Sequence, residues 1–292
     1  MIGPLSITKA QSTDALNTQD ALRSAGALPL PQAARAGAAP AWLRGSAAKW
    51  AAGVSASLLL VLALGFIWAW HATPSVDGLD SIVRQRVAQH HTAYTPLSAV
   101  ARVMQRALVA SEDQRFYMHH GIDLLGLGRA TLDDLRAGQF VEGGSTLTAQ
   151  LAKNAYLNGH DHTIPLKLED LMLALKVEHS YNKDAILAMY LNLTYYGEGA
   201  YGIGAAAVRY FGVSPAHLDL AQAAMLASLV QAPGAYDPWC HPQQAHMRQE
   251  AVLDRMVAAG YITPTQASAA AAERSVFAGP GGAIPHDAYC PA

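Results

Sequence analysis

Ala110-Ser111-Glu112-Asp113-Gln114-Arg115-Phe116-Tyr117-Met118-His119-His120-Gly121-Ile122-Asp123 is the stretch whose reading decides the fold. The residues leading into it, Val100, Val103, Met104, Ala107, Leu108 and Ser111, recur at i, i+3, i+4 and i+7, the period of one helix face. The spacing predicts a helix that ends at Glu112, followed by a turn crowded with Asp113, two aromatics, two imidazoles and a glycine. A carboxylate at the end of an apolar helix, beside such a turn, lies on the wall of a cleft and is placed for general acid or base work. The plain alternative is a helix-end glutamate that pairs with Arg115.

The next stretch outward is Glu142-Gly143-Gly144-Ser145-Thr146-Leu147-Thr148-Ala149-Gln150-Leu151-Ala152-Lys153-Asn154. The two glycines break the chain, and Ser145 is placed to cap a helix that runs to about Leu157. On that helix Thr146, Gln150, Lys153 and Asn154 share one face, while Leu147, Leu151, Ala152 and Ala155 cover the other. A polar strip that begins at a helix N-terminus, with two hydroxyls and a lysine, suits an anion; a solvated helix face fits the same spacing. Farther on, Pro165 opens a helix through Glu178 that is apolar over most of its circumference. Glu169 on that helix needs a partner or a function if buried, and Lys176, seven residues later, offers an ion pair.

The rest of the region reads as helix after helix. Residues 124–137 form a glycine-containing amphipathic stretch. Asn182 caps a helix that ends near Asn192, and Tyr195 to Gly204 leads into one that Gly212 stops. Ser214-Pro215 and Asp219 open further helices, closed by Pro233. Pro242 begins another that ends at Gly260, and Thr263-Pro264 begins the last. No run of alternating strands is visible, so the fold class is mainly α.

At the other end, Ala51 to Trp70 is uncharged and long enough to cross a ~30 Å hydrocarbon core as a helix. Arg44 and Lys49 precede it, and Asp77 and Asp80 follow, so the positive-inside rule places the N-terminus in the cytoplasm and the remainder outside. The apolar run is too long and begins too late for a cleaved signal peptide. The expected organisation is a disordered tail over 1–49, a transmembrane helix over 50–70, a globular domain over 75–275 and a C-terminal tail over 276–292. A net charge of −2 across 292 residues gives no footprint for nucleic acid. No zinc-type spacing is present, and Cys240 and Cys290 could pair outside the cytoplasm or stay as thiols.

Taken together, Glu112 to Asp123 and Gly143 to Asn154 resemble the signature of the peptidoglycan glycosyltransferases (glycosyltransferase family 51). These are the membrane-anchored lipid II polymerases, found alone or as the N-terminal half of class A penicillin-binding proteins. The likeness continues through Leu175 to Glu178, Asn182 to Asn192, Tyr195 to Ile203, Ala205 to Phe211 and Gln231-Ala232-Pro233. It covers about residues 80 to 275, and with no transpeptidase sequence after it the chain looks like a monofunctional member. The resemblance implies a lysozyme-like head lobe and a small membrane-proximal jaw after Asp123, where Leu124, Leu125, Leu127 and Leu132 could dip into lipid. It implies Glu112 as the base for the acceptor's 4-hydroxyl and Glu169 as the second catalytic carboxylate. Substrate-binding roles fall to Asp113, Phe116 and His119 around the first turn, and to Ser145, Thr146, Gln150, Lys153 and Asn154 at the donor's pyrophosphate. It implies lipid II and the nascent glycan strand as substrates, membrane lipid and other cell-wall synthesis proteins as partners, no protein-built metal site, and a divalent cation (Mg or Mn) at the pyrophosphate. The location implied is the inner membrane, single-pass, with the catalytic domain periplasmic.

The pattern departs from the family at one place. An Arg-Lys pair usually stands before the third-motif glutamate, whereas this chain reads Pro165-Leu166-Lys167-Leu168-Glu169. A usual upstream basic residue falls among His160-Asp161-His162, and the paired glutamines of the second motif are Ala149-Gln150. The stand-ins for the missing cations would be Lys167, His160 and His162. The alternatives are a related lipid-linked saccharide as substrate, or a weakly active scaffold in envelope assembly.

Overall fold

The computed structural model describes residues 41–128, 145–156 and 164–273, with the side chains of 41–47 and 164–167 excepted. Two compact units divide the chain, Met1–Leu62 and Ala63–Ala292. Helix α1 (Ala41–Ala72) begins in the first unit. Within it Ala48–Ala72 has a mean hydropathy of 2.1 and is long and apolar enough to cross a membrane. Its Leu58, Val61, Leu64 and Ile67 are all exposed. The helix starts before the apolar run, so residues 41–49, which composition assigns to a disordered tail, are helical.

The second unit is built from helices because its apolar positions recur at helical spacing and its polar residues stand at the ends. The elements are α2 (Leu79–Gln89), α3 (Arg102–Glu112), α4 (Leu147–Tyr156), α5 (Ile164–Ser180), α6 (Lys183–Leu193), α7 (Gly202–Phe211), α8 (Leu220–Leu229), α9 (Pro242–Ala258) and α10 (Pro264–Ala272). No strand occurs among the described residues, which hold only two isolated bridges, His120 to Ile122 and Tyr195 to Tyr201. Asn182 caps α6 by accepting the Ala185 N–H at 2.8 Å. Asp219 with Gln222, and Thr263 with Gln266, form capping boxes that start α8 and α10. Gly212 ends α7 in the left-handed conformation.

Helix α8 is apolar on every side and is buried along nearly its whole length, which makes it the centre of the core. Helices α3 and α9 pack against it, and α4 packs against α5 and α6. Met104, Leu108, Leu147, Leu151, Leu173, Ile186, Leu187 and Leu226 are fully buried in one contiguous cluster. Burying a side chain of this size stabilises by roughly 1.5–3 kcal/mol, and this is what fixes the three stretches of interest relative to one another. After Asp123 the described part of the expected jaw is a helical turn over 124–128. Its Leu124, Leu125 and Leu127 are exposed; Leu132 lies outside the described residues. Cys240 is disulfide-bonded rather than a free thiol, and Cys290 lies outside the described residues.

Candidate active site

Helix α3 stops at Glu112 because the chain turns on Asp113, whose backbone leaves the helical region at φ −156° and ψ 76°. Asp113 is buried. The Nε2 of His119 lies 3.0 and 2.9 Å from its two carboxylate oxygens, a geometry that requires the Nε2–H tautomer to donate. One of those oxygens also accepts the backbone N–H of Leu147 at 3.0 Å. This single carboxylate therefore closes the first-motif turn and pins the start of α4 to it. Phe116 fills the turn from inside with no exposed surface. Asp113, Phe116 and His119 are all buried and brace the turn from within.

Two more contacts complete the junction. Thr146 donates its hydroxyl to the Gly121 carbonyl at 2.7 Å and accepts the Ala149 N–H at 3.1 Å. Thr146 is therefore the cap of α4, one residue later than the Ser145 that the sequence favours. Its hydroxyl is buried and engaged both as donor and as acceptor. Gly121 has φ +84°, and a Cβ there would meet the Ala174 carbonyl oxygen on α5 at 3.0 Å. Only glycine lets the turn approach α5 this closely. On the far side Thr148 donates to Glu178 at 2.6 Å, and Lys183 donates to the same oxygen at 2.6 Å.

With the frame closed, Gln150 on α4 reaches Glu112. Its Nε2 donates to the carboxylate at 3.1 Å, while its Oε1 accepts the Tyr190 hydroxyl at 2.7 Å. The two contacts fix the amide orientation, because the carboxylate accepts and the phenol donates. Tyr190 is fully buried, and that burial, reinforced by the Glu112 charge, raises its phenol well above the ordinary value, so it remains a donor. Among the described residues, the second Glu112 oxygen receives only the Ser111 hydroxyl, at 3.3 Å. Glu112 does not pair with Arg115, which bridges to Asp123 at 3.5 Å. Arg255 on α9 donates to the Ser111 carbonyl at 2.6 Å. Burial and then Arg248 lower its pKa, and the Glu112 carboxylate opposes both.

The remaining sequence candidates are placed less tightly. Lys153 is half-buried and Asn154 is exposed on α4, one turn beyond Gln150. Arg86 from α2 holds that end of α4 by donating to the Asn154 and Ala155 carbonyls, each at 2.9 Å. A cavity of about 320 Å3 opens beside Asn154, walled by Arg86, His90, Tyr195 and Tyr201. Glu169 is half-buried on α5 and makes no hydrogen bond or ion pair among the described residues. It does not pair with Lys176, which donates instead to the carbonyls of Thr73 at 2.7 Å and Pro74 at 3.0 Å. His160 and His162 lie outside the described residues, as does the side chain of Lys167. Sequence spacing gives Tyr190 and Arg255 no role. Tyr190 stands within a quoted motif, a usable signal; Arg255 follows Glu112 by a long interval on a helix of ordinary charge pattern and carries no such signal.

The described residues thus set a half-buried carboxylate at a helix end against the amide of Gln150 on the neighbouring helix. Residues 80–257 match the transglycosylase family, and the chain belongs to it. It is 44% identical over 173 residues to penicillin-binding protein 1A of Aquifex aeolicus, and 42% identical over 171 residues to penicillin-binding protein 1F of Bacillus subtilis. Those alignments cover 59% of this chain and 24% of each relative, so the chain spans about a quarter of their length. A Cupriavidus necator protein provisionally named a transglycosylase is 39% identical over 204 residues, which covers 70% of this chain and 85% of the relative.

Proposed function

We propose that the chain is a membrane-anchored peptidoglycan glycosyltransferase that polymerises lipid II. The observation that carries this reading is the contact between Gln150 and Glu112, which brings the first and second motifs to one carboxylate. Glu112 takes the proton from the acceptor's 4-hydroxyl as that oxygen attacks the donor's anomeric carbon. The attack comes from the face opposite the pyrophosphate, so configuration inverts. Gln150 and Tyr190 orient the base from behind and leave its other oxygen for the substrate. Lys153, Ser145 and Asn154 hold the donor's undecaprenyl pyrophosphate, and Glu169 assists its departure. The leaving group is a good one, so charge stabilisation matters here more than the strong general acid of a glycosidase.

Among the described residues no three His, Cys, Asp or Glu side chains converge. A Mg or Mn ion at the pyrophosphate would be held by Glu169 and would supply charge neutralisation on the leaving group. The apolar length of Ala48–Ala72 supports insertion in the inner membrane. The basic residues before it and acidic residues after it support a cytoplasmic N-terminus.

The test is polymerisation of lipid II by the full chain in detergent. Glycan strands with inverted anomeric linkages are expected; retained configuration or no polymer would refute the reading. The thinned basic set before Glu169 favours one other reading, a related lipid-linked saccharide as donor. Turnover of lipid II alone across a panel of lipid-linked donors would remove it.

A further inference from the structure

On the outer side of α3, Arg102, Gln105, Arg106 and Val109 fall at i, i+3, i+4 and i+7 and form one face. Tyr117 and Tyr261 close that face into a groove of about 250 Å3. Both arginines are exposed, and neither makes an ion pair among the described residues. The Arg106 guanidinium lies over the Tyr261 ring, 5.7 Å from its centre. Gln105 is committed to the Leu97 and Val100 carbonyls at 3.1 and 2.8 Å, so it lends the groove only its stem. Tyr117 donates to Asp184 at 3.2 Å. Burial, and after it this carboxylate, push its phenol up to about 12, with Arg102 opposing, so Tyr117 stays a neutral donor. Asp184 is the carboxylate felt at the groove's edge, against two guanidiniums. The first turn of α3 holds no acidic residue, and the positive end of the helix dipole lies beside Arg102. The same helix row runs on to Glu112, six residues past Arg106, or about 9 Å along the axis at ~1.5 Å per residue. The transfer chemistry makes no use of Arg102 or Arg106.

We propose that the groove is an anion subsite for the acidic peptide stem carried by the glycan strand. The strand would be seated along α3 while its reacting end lies at Glu112. The proposal rests on the polymerase reading and adds a substrate contact to it. Guanidinium forks match carboxylates in two parallel hydrogen bonds, and the tyrosine rings give walls for the peptide's apolar parts. The exposed leucines suited to lipid, Leu124, Leu125 and Leu127, belong to the turn after Asp123 and not to this face. A ligand covalently joined to the saccharide at Glu112 would have about 9 Å along the helix axis to cover to Arg106.

The experiment measures fluorescence anisotropy of labelled, uncrosslinked glycan fragments with the full chain in detergent. Fragments with free carboxylate stems are compared with fragments whose stems are amidated or removed. The wild type should bind the acidic-stem fragment about tenfold more tightly or better, the scale of one charge-assisted contact. Arg102→Gln/Arg106→Gln should lose that preference, keep its binding of stemless fragment and keep its Tm, while Glu112→Gln should retain the preference. In polymerisation assays the double variant should raise KM for lipid II with an acidic stem and leave the amidated substrate unchanged. Equal wild-type affinity for stemmed and stemless fragments would overturn the proposal. So would an equal loss of both in the double variant, or displacement of the stem by phosphatidylglycerol vesicles at the same arginines. Lipid II polymerisation without stem discrimination would remove the groove alone. Stem discrimination without any polymerisation would remove the polymerase reading and leave the groove.

Discussion

Replacing Gln150 tests the architecture of the site through both stability and rate. Gln150→Ala removes the 3.1 Å donor to Glu112 and the 2.7 Å acceptor of Tyr190. The second loss is the larger for folding, because Tyr190 is about 1% exposed and its hydroxyl then loses its Gln150 acceptor. An unsatisfied buried donor costs about 1–3 kcal/mol. For a domain of this size that lowers Tm by roughly 2–4 °C per kcal/mol. Tyr190→Phe alone removes the donor and leaves the Gln150 oxygen unpaired, with a smaller cost. In the double variant Gln150→Ala/Tyr190→Phe no orphaned hydroxyl remains, so its stability loss should be less than the sum of the singles by about 1 kcal/mol or more. The same variants read out the base: kcat should fall about tenfold or more in Gln150→Ala, with a smaller change in KM, because the carboxylate loses its orientation. Urea unfolding and steady-state polymerisation give the two numbers. Strictly additive stability losses, or an unchanged kcat in Gln150→Ala, would refute the idea that Tyr190 and Gln150 act on Glu112 as one chain.

Three other outcomes follow from particular contacts. Asp113→Ala orphans the Leu147 N–H and the His119 Nε2–H and should cost about 2–5 kcal/mol in urea unfolding, with Asp113→Asn costing less because it keeps an acceptor; a loss below about 0.5 kcal/mol would show that the junction is held elsewhere. Glu198 has its pKa raised by burial and then by the hydrogen bond and charge of Asp237, against the pull of Arg209. A raised folded pKa gives stability that is present below the ordinary value of ~4.3 and lost as pH climbs through the raised one. The Tm difference between wild type and Glu198→Gln should therefore shift against the wild type across that window, and a pH-independent difference would contradict the assignment. Lys176→Met leaves the Thr73 and Pro74 carbonyls without their donor and removes a cation held 5.4 Å from the Trp70 ring centre. Amide exchange over residues 71–78 should then quicken by about tenfold, and unchanged protection would show that the segment is held by other contacts.

Much of this fold was legible because its helices carry their own punctuation. The end of α3 at Glu112, the Asn182, Asp219 and Thr263 caps and the glycine stop at Gly212 all stand where period and capping chemistry place them. The misplaced cap of α4 has a physical reason. Ser145 and Thr146 are both competent, and the choice went to Thr146 because its hydroxyl also meets the Gly121 carbonyl, a tertiary contact that spacing does not encode. Lys176 is the same kind of case: periodicity put it on the face of Glu169, but the chain after α1 supplied two carbonyls at closer range. Tyr190 and Arg255 lie on helices α6 and α9, and only packing brings them beside Gln150 and the Ser111 carbonyl next to Glu112. The polar set was therefore readable as a list of residue types, while the division between buried, bonded residues and accessible ones required the three-dimensional frame.

The central claim is that Glu112 is the base of a glycan polymerase. The most direct measurement is the single-turnover rate of lipid II coupling by wild type and by Glu112→Gln, with folding checked by Tm. Removing a positioned general base costs typically about 10²–10⁴-fold in rate. The account predicts a loss of that size, with lipid II still bound and Tm little changed. A Glu112→Gln protein that couples lipid II within a fewfold of the wild-type rate would contradict it.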